Sequence, residues 1–486
     1  VNYNSLAHRT TWLRSDLQLA VAASIGEDGK INYDNLNNEL AKIDGLTYHG
    51  SSISDSNRIE SLPEDVVLDG YTITINADGS INSNGGGITP PSTAGKTDGS
   101  YDENKKVNTP KLGSDMELVV YENGEWVTDE TNAAYSYVAQ TGTTEDGGTS
   151  EWANAKVTID GVESYFVWIP RYAYKIDTIN HVIDVKFIKG TGTEATDGTP
   201  CKYADDSSLN TSTDYIIHPA FTTNADLGGG WSTELPGIWI GKYESSLVNK
   251  SDSSYITTSS SDIGNILLSN NTDKAIAVQP NMSSWRYCTI GNMYTNALAY
   301  SPNLNSHMLK NSEWGAVAYL THSQYGRNGT EIAINNSSNY ITGTSGGTAN
   351  ASSSDATYAY NDTTNGVLAS STGNVYGIYD LSGGAREYVA AYYGESSYLA
   401  NGSSFANETS DRKYSTVYGD SGITGDATTE TSGWNDDYAA FVDSPYPFFG
   451  RGGVYSDGSS AGVFFFIGYN GSSYGNYSFR VSLAIQ

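Results

Sequence analysis

Apolar residues Leu6, Leu13, Leu17, Ala20 and Val21 recur at spacings of three, four and seven, with Thr10 in register. That period lays one apolar stripe along a helix over residues 4–24, which Gly26 and Asp28-Gly29 stop. A second helix is predicted over Tyr33 to Ile43, opened by Asn32 and closed by Gly45. The period then becomes two. Val66-Val67-Leu68 and Tyr71 to Ile75 flank Asp69-Gly70, a hairpin signal, and a second Asp78-Gly79 precedes Ser80-Ile81. These runs predict a three-stranded meander laid on the first helix.

The pattern breaks next. Asn82-Ser83-Asn84-Gly85-Gly86-Gly87 gives slack, and Thr89-Pro90-Pro91-Ser92 stiffens the chain again. The expected division is a small domain over 1–84, a linker over 85–108 and a large domain over 109–486. In the large domain Tyr165 to Pro170 and Gly237 to Glu244 read as buried strands, and Asn311 to Leu320 as a capped helix. Residues 343–373 and 394–436 are rich in Ser, Thr, Gly and Asn and read as long loops. The expected fold class is α+β.

Composition narrows the function. The 486 residues carry a formal net charge of −29, which repels phosphate polymers and excludes nucleic acid as a partner. Tyr dominates the aromatics, at 37 against 11 Phe and 9 Trp, and Tyr suits surfaces that are both wet and adhesive. Two cysteines, Cys201 and Cys288, cannot build a disulfide framework or a Cys-based zinc site, though they could pair with each other. The six histidines show no close metal spacing. No apolar run is long enough to span a bilayer, yet the chain opens on a helix already under way. A leader or membrane segment is therefore expected ahead of Val1, and the low-charge, Ser/Thr/Asn-rich composition fits an exported protein.

The stretch 451–486 concentrates the candidate chemistry. It opens on Arg451-Gly452-Gly453 and closes on Phe479-Arg480-Val481. Between these margins Val454 to Ser478 is mostly Ser, Tyr, Gly, Asn, Phe and Asp, the mixture of rigid amphipathic rings and small polar groups found in paratopes. The contact residues expected on a ligand face are Val454, Tyr455, Ser456, Asp457, Ser459, Ser460, Phe464, Phe466, Ile467, Tyr469, Asn470, Ser472, Ser473, Tyr474, Asn476 and Tyr477. Trp168, Trp239, Trp314, Arg451 and Arg480 are expected to hold the backbone beneath them.

The first 85 residues, a helix, a short helix and a small antiparallel sheet, resemble a type IV pilin-like subunit of a Gram-positive bacterium. The resemblance implies an upstream apolar helix that anchors the subunit and packs against other pilin subunits. Four later motifs resemble the C-type-lectin-like fold of the formylglycine-generating (sulfatase-modifying) type. They are Ile238 to Glu244, Leu309 to Ala318, Asn374 to Leu381 with Ser382 to Tyr388, and the Arg451-Gly452-Gly453 and Phe479-Arg480 margins. The oxidase members carry a cysteine pair shortly after Arg-Gly-Gly, and Val454 to Ala461 contains none. The resemblance therefore implies the fold without that copper and thiolate chemistry.

The same fold and frame resemble variable proteins of diversity-generating retroelements. There, adenine-directed change at Asn-type codons cannot produce Lys, Glu, Gln, Trp or Met, and residues 454–478 contain none of these. The resemblance implies a variable region over about 451–480.

Other chemistry is weak. Gly343 to Gly347 and Gly419 to Gly422 imitate serine-hydrolase motifs without the strand, helix or histidine these need. Asp205-Asp206 and Asp436-Asp437 are expected to be solvated pairs. The loops leave room for a structural calcium whose ligands cannot be assigned, and no other cofactor is expected. The expected function is a non-enzymatic, surface-displayed adhesin outside the cell. Its ligand would be a protein or carbohydrate on another cell or phage. The alternatives are an exported enzyme of the formylglycine-generating type or another hydrolase, and a structural pilus subunit.

Overall fold

The computed structural model describes residues 16–26, 28–68, 71–81, 88–89, 95–140, 150–406 and 412–486. The fold is mixed, with short helices and many antiparallel strands. The chain divides into two compact units, residues 1–95 with 129–134, and residues 96–128 with 135–486.

In the first unit the described end of the opening helix spans residues 16–23, and residues 4–15 of the expected helix lie outside the described residues. Leu17, Ala20 and Val21 pack into one core with Leu36, Leu40, Val66, Leu68, Ile73 and Ile75. The second helix is Tyr33–Leu40, and the Asn32 side chain caps it by accepting from the Asn35 N–H. The strands Glu64–Leu68 and Tyr71–Ile75 pair antiparallel, as their alternation dictates. The Asp69-Gly70 turn lies outside the described residues. The meander differs from expectation. Ile81 makes only an isolated bridge to Ile75, and the outer neighbours are Leu46–Thr47 and Ile88–Thr89.

The second unit begins at Lys96, so part of the expected linker belongs to it. The reason is local pairing and burial. Tyr101–Asp102 pairs with Val107–Asn108. The Asn108 side chain exchanges hydrogen bonds with Gly190 and donates to the Pro236 carbonyl. A seven-stranded sheet runs in the order His307–Met308, Val481–Leu483, Gly237–Gly241, Val162–Pro170, Asn154–Ile159, Met116–Glu122, Glu125–Thr128. Trp168 and Trp239 face each other across its centre with ring centroids 5.2 Å apart, and both are buried. The helix Asn311–His322 is buried along its whole length, and Glu313 reaches back to accept the Lys310 N–H. The cap position is thus Lys310 rather than Asn311.

A second sheet orders Thr416–Tyr418, Arg386–Tyr393, Phe448–Gly452 and Gly462–Tyr469, with Tyr477–Ser478 pairing to the other part of Arg386–Tyr393. The closing stretch therefore contributes strands to both sheets. The long segments 343–373 and 394–436 hold only short turns, one four-residue helix and the strand Thr416–Tyr418 among their described residues.

Candidate functional site

The two margins of the closing stretch are fixed by buried arginines. Arg480 donates to both carboxylate oxygens of Glu387, at 3.1 and 2.5 Å, and to the carbonyls of Gly241 and Tyr379 at 2.8 Å each. Arg451 donates to Asn311 Oδ1 and to the carbonyls of Asp426, Ala427 and Val463. Trp314 Nε1 also donates to the Val463 carbonyl, at 2.7 Å. Forked donors held by backbone carbonyls and side-chain oxygens from several segments set where a chain enters and leaves. Gly452 and Gly453 have φ of +81° and +80°, which lets the chain turn away directly after Arg451.

Between these anchors the chain lays out a connected set of half-exposed rings and polar groups. Tyr469 meets Tyr474 edge-on at 5.0 Å and Tyr477 at 5.1 Å. Asn470 Nδ2 donates to the Tyr474 hydroxyl at 3.3 Å. The Asp457 carboxylate accepts the Val454 N–H at 3.0 Å and pairs with Arg386 at 3.2 Å. Arg386 also lies over the rings of Phe465 and Tyr477, at 5.5 and 5.8 Å. Tyr455 meets Tyr340 edge-on at 5.1 Å, and the Arg286 guanidinium lies 4.0 Å from the Tyr340 ring centre. Arg286 Nη1 in turn donates to the Gly475 carbonyl at 2.5 Å. These contacts form a circuit of Arg286, Tyr340, Tyr455, Gly384, Ala385 and Arg386. The Tyr455 N–H donates to the Gly384 carbonyl, and the Arg386 N–H to that of Asn476.

Of the expected contact residues, Ser456 and Ser459 are exposed. Tyr455, Asp457, Ser460, Ile467, Tyr469, Asn470, Ser472, Ser473, Tyr474 and Asn476 are half-buried. Val454, Phe464, Phe466 and Tyr477 are not on the face, at 6%, 0%, 4% and 0% exposure. Phe464 and Phe466 lie on Gly462–Tyr469, which is covered on both sides, and Tyr477 lies on the separate strand Tyr477–Ser478, paired to Arg386–Tyr393. Phe464 packs on His322 and Trp434, Phe466 on Phe441, and Tyr477 stacks on Tyr388 at 4.3 Å. Along its outer edge the segment Tyr438 to Ala440 exchanges hydrogen bonds with Phe466 and Gly468.

Sequence reasoning missed the supporting residues that come from elsewhere in the chain. Tyr287, Tyr340, Arg386, Tyr438 and Tyr446 join the same face through ring contacts. Ser261 reaches it by a hydroxyl contact of 2.8 Å to Ser473. None sits in a variable-looking context, so only the spatial arrangement marks them.

Chemistry away from this face is concentrated in buried acids. Glu244, Asp380 and Glu387 surround Arg480. Burial pushes all three carboxyls up, and for Glu244 the charges of Asp380 and Glu387 add to it. Asp436-Asp437 is not a solvated pair. Asp436 is exposed, but Asp437 is buried, with Oδ2 accepting the Phe464 N–H at 2.8 Å. Burial and the facing Glu331 push Asp437 up to about 9, and burial pushes Glu331 up to about 7. Asp437 Oδ1 and Glu331 Oε1 otherwise have no donor, so one shared proton satisfies both. The acids Asp205 and Asp206 are exposed.

His218 and His307 are buried and His322 nearly so, each bonded through a ring nitrogen to protein oxygen. Burial holds His218 down at about 3. Cys201 and Cys288 are separate buried thiols that burial pushes up, Cys201 to about 11, so neither is a poised nucleophile. Among the described residues no group of three His, Cys, Asp or Glu is arranged to hold a metal ion. Nor is any helix long and apolar enough to cross a membrane. A pocket of about 390 Å3 is lined by His181, Val182, Ile183, Asp184, His322 and Gln324, none of them an expected contact residue. No family model matches the chain, and no curated protein matches it.

Proposed function

We propose that the face running from Tyr455 to Asn476 is a ligand-binding surface on a C-type-lectin-like domain of the formylglycine-generating type, diversified as in retroelement variable proteins. The first unit is then a pilin-like module that places this domain outside the cell, and the protein is an adhesin rather than an enzyme. Its partner is a protein or carbohydrate on another cell or phage. One observation carries the reading. The half-exposed Tyr, Ser and Asn side chains sit between two margins whose arginines are fully buried and held by backbone carbonyls, the Asn311 amide oxygen and the Glu387 carboxylate. Such an arrangement lets the surface change while the backbone stays fixed. The buried Glu331 and Asp437 do not favour catalysis, because each completes the other and Asp437 also holds the Phe464 N–H.

The test is a loop exchange. The wild-type chain and a chain carrying a different Val454–Ser478 segment, with Phe464, Phe466 and Tyr477 retained, are profiled on arrays of glycans and of cell-surface proteins. The two profiles are expected to differ. Identical profiles would reject the reading. Neighbouring DNA carrying a near-copy of this segment beside a reverse transcriptase is the matching genomic expectation.

A further inference from the structure

The guanidinium of Arg286 stands out from the other charges on this face. The side chain is 8% exposed, and no carboxylate lies within ion-pair distance of it among the described residues. Its Nη1 donates to the Gly475 carbonyl, and its Nε has no acceptor. Two rings flank it, Tyr340 at 4.0 Å and Tyr287 at 5.7 Å. Tyr340 leads on to Tyr455 and Gly475 to Asn476, so the cation sits among the half-exposed residues of the face. The buried Glu244 acts on it only from beyond ion-pair distance, and a cation taken out of water without a bonded counter-charge is costly. Arg386, whose Nε likewise has no acceptor, shows what a carboxylate supplies on the same face: it has that of Asp457 at 3.2 Å and aromatic rings beside it.

We propose that Arg286 is the anchor for a carboxylate of a protein ligand, an Asp or Glu side chain that enters between Tyr340 and Tyr287 as Asp457 already meets Arg386. This rests on the binding-face reading above. A protein partner fits better than a sugar acid, because the rings beside Arg286, Tyr287 and Tyr340, continue through Tyr455 and Gly475 into the half-exposed face. Broad faces of Tyr, Ser and Asn around an arginine suit a macromolecular partner. The partner need not be acidic overall, since the chain's own charge of −29 repels an acidic body at long range while one carboxylate is captured at contact.

The experiment uses the full chain and four probes: acetyl-Gly-Glu-Gly-amide, its Gln analogue, glucuronic acid and glucose. Binding is followed by ligand-observed NMR and titration. The Glu peptide is expected to bind about tenfold more tightly than the Gln peptide. Arg286→Gln is expected to erase that preference, while Arg327→Gln, another nearly buried arginine with an unpartnered Nε, keeps it. Equal affinity of the two peptides on the unaltered chain overturns the proposal. So does a preference that survives Arg286→Gln. Binding of glucuronic acid without the Glu peptide overturns the commitment to a protein partner.

If Arg286→Gln does not fold, the unaltered chain still decides. The Glu peptide must then shift the ring resonances of Tyr287 and Tyr340, and shifts confined elsewhere sink the idea. Exchange of the variable segment with Gly475 retained separates this from the broader reading. That reading fails if the array profile does not change, whereas the Arg286 proposal fails only if the preference for the Glu peptide is absent.

Discussion

The buried pair Arg480 and Glu387 lies at the centre of an acid cluster and joins the closing stretch to the strand Arg386–Tyr393. Removing one partner leaves an uncompensated charge, so Glu387→Gln is expected to cost about 3–5 kcal/mol in denaturant unfolding. A loss below about 1 kcal/mol would show that the neighbouring acids take over the role. The pair Glu331 and Asp437 gives a pH signature. Unfolded carboxyls titrate near pH 4, and in the fold Asp437 is raised to about 9. The folded chain therefore holds more protons across that window, and this pair's contribution to stability is present at low pH and lost as pH rises toward about 9. Asp437→Asn keeps the acceptor for the Phe464 N–H and removes the titration. Its stability is expected to fall less steeply from about pH 5 to pH 9 than that of the wild type, and equal slopes would count against the shared proton.

The strand Gly462–Tyr469 carries buried side chains next to loop positions that are exposed or half-buried. Phe464→Ala is expected to cost about 3–5 kcal/mol, because the side chain is fully buried against His322 and Trp434. Ser456→Ala and Ser459→Ala, on exposed positions two turns of chain away, are expected to stay within about 0.5 kcal/mol of wild type. Thermal melts of the three variants check the contrast, and comparable losses would erase the distinction between face and core. The contrast also explains what was legible in the sequence. The helix Tyr33–Leu40 and the strands at Val162–Pro170 and Gly237–Gly241 announce themselves by caps and apolar runs. The burial of Phe464 and Phe466 does not, because a strand covered on both sides has no alternation to read, and that of Tyr477 does not, because its strand is only two residues long. Tyr340 and Arg286 were illegible for another reason: they reach the face from more than a hundred residues away, and spacing carries no record of that.

At the scale of the molecule, each unit has its own core, one built on Leu17 to Ile81 and one on the aromatic set from Val107 to Ala484. A fragment of residues 96–486 made on its own is expected to fold with a single cooperative melt, although its residues 129–134 cluster with the first unit in the full chain. A fragment that melts without cooperativity would show that it depends on the first unit. The division near the Gly- and Pro-rich run could be read from composition. The start of the second unit at Lys96 could not, because the two-residue strands at Tyr101 and Val107 are too short to register.

The strand Val481–Leu483 is inserted between Gly237–Gly241 and His307–Met308, inside the larger sheet and downstream of the whole candidate face. A premature stop anywhere from Val454 to Ser478 deletes Arg480 and this strand together, and a frameshift there replaces both. The sheet then loses the strand that joins Gly237–Gly241 to His307–Met308, and the product is expected not to fold. Any change to those codons is thereby filtered by folding itself, since only in-frame outcomes keep the arginine and the strand that follow.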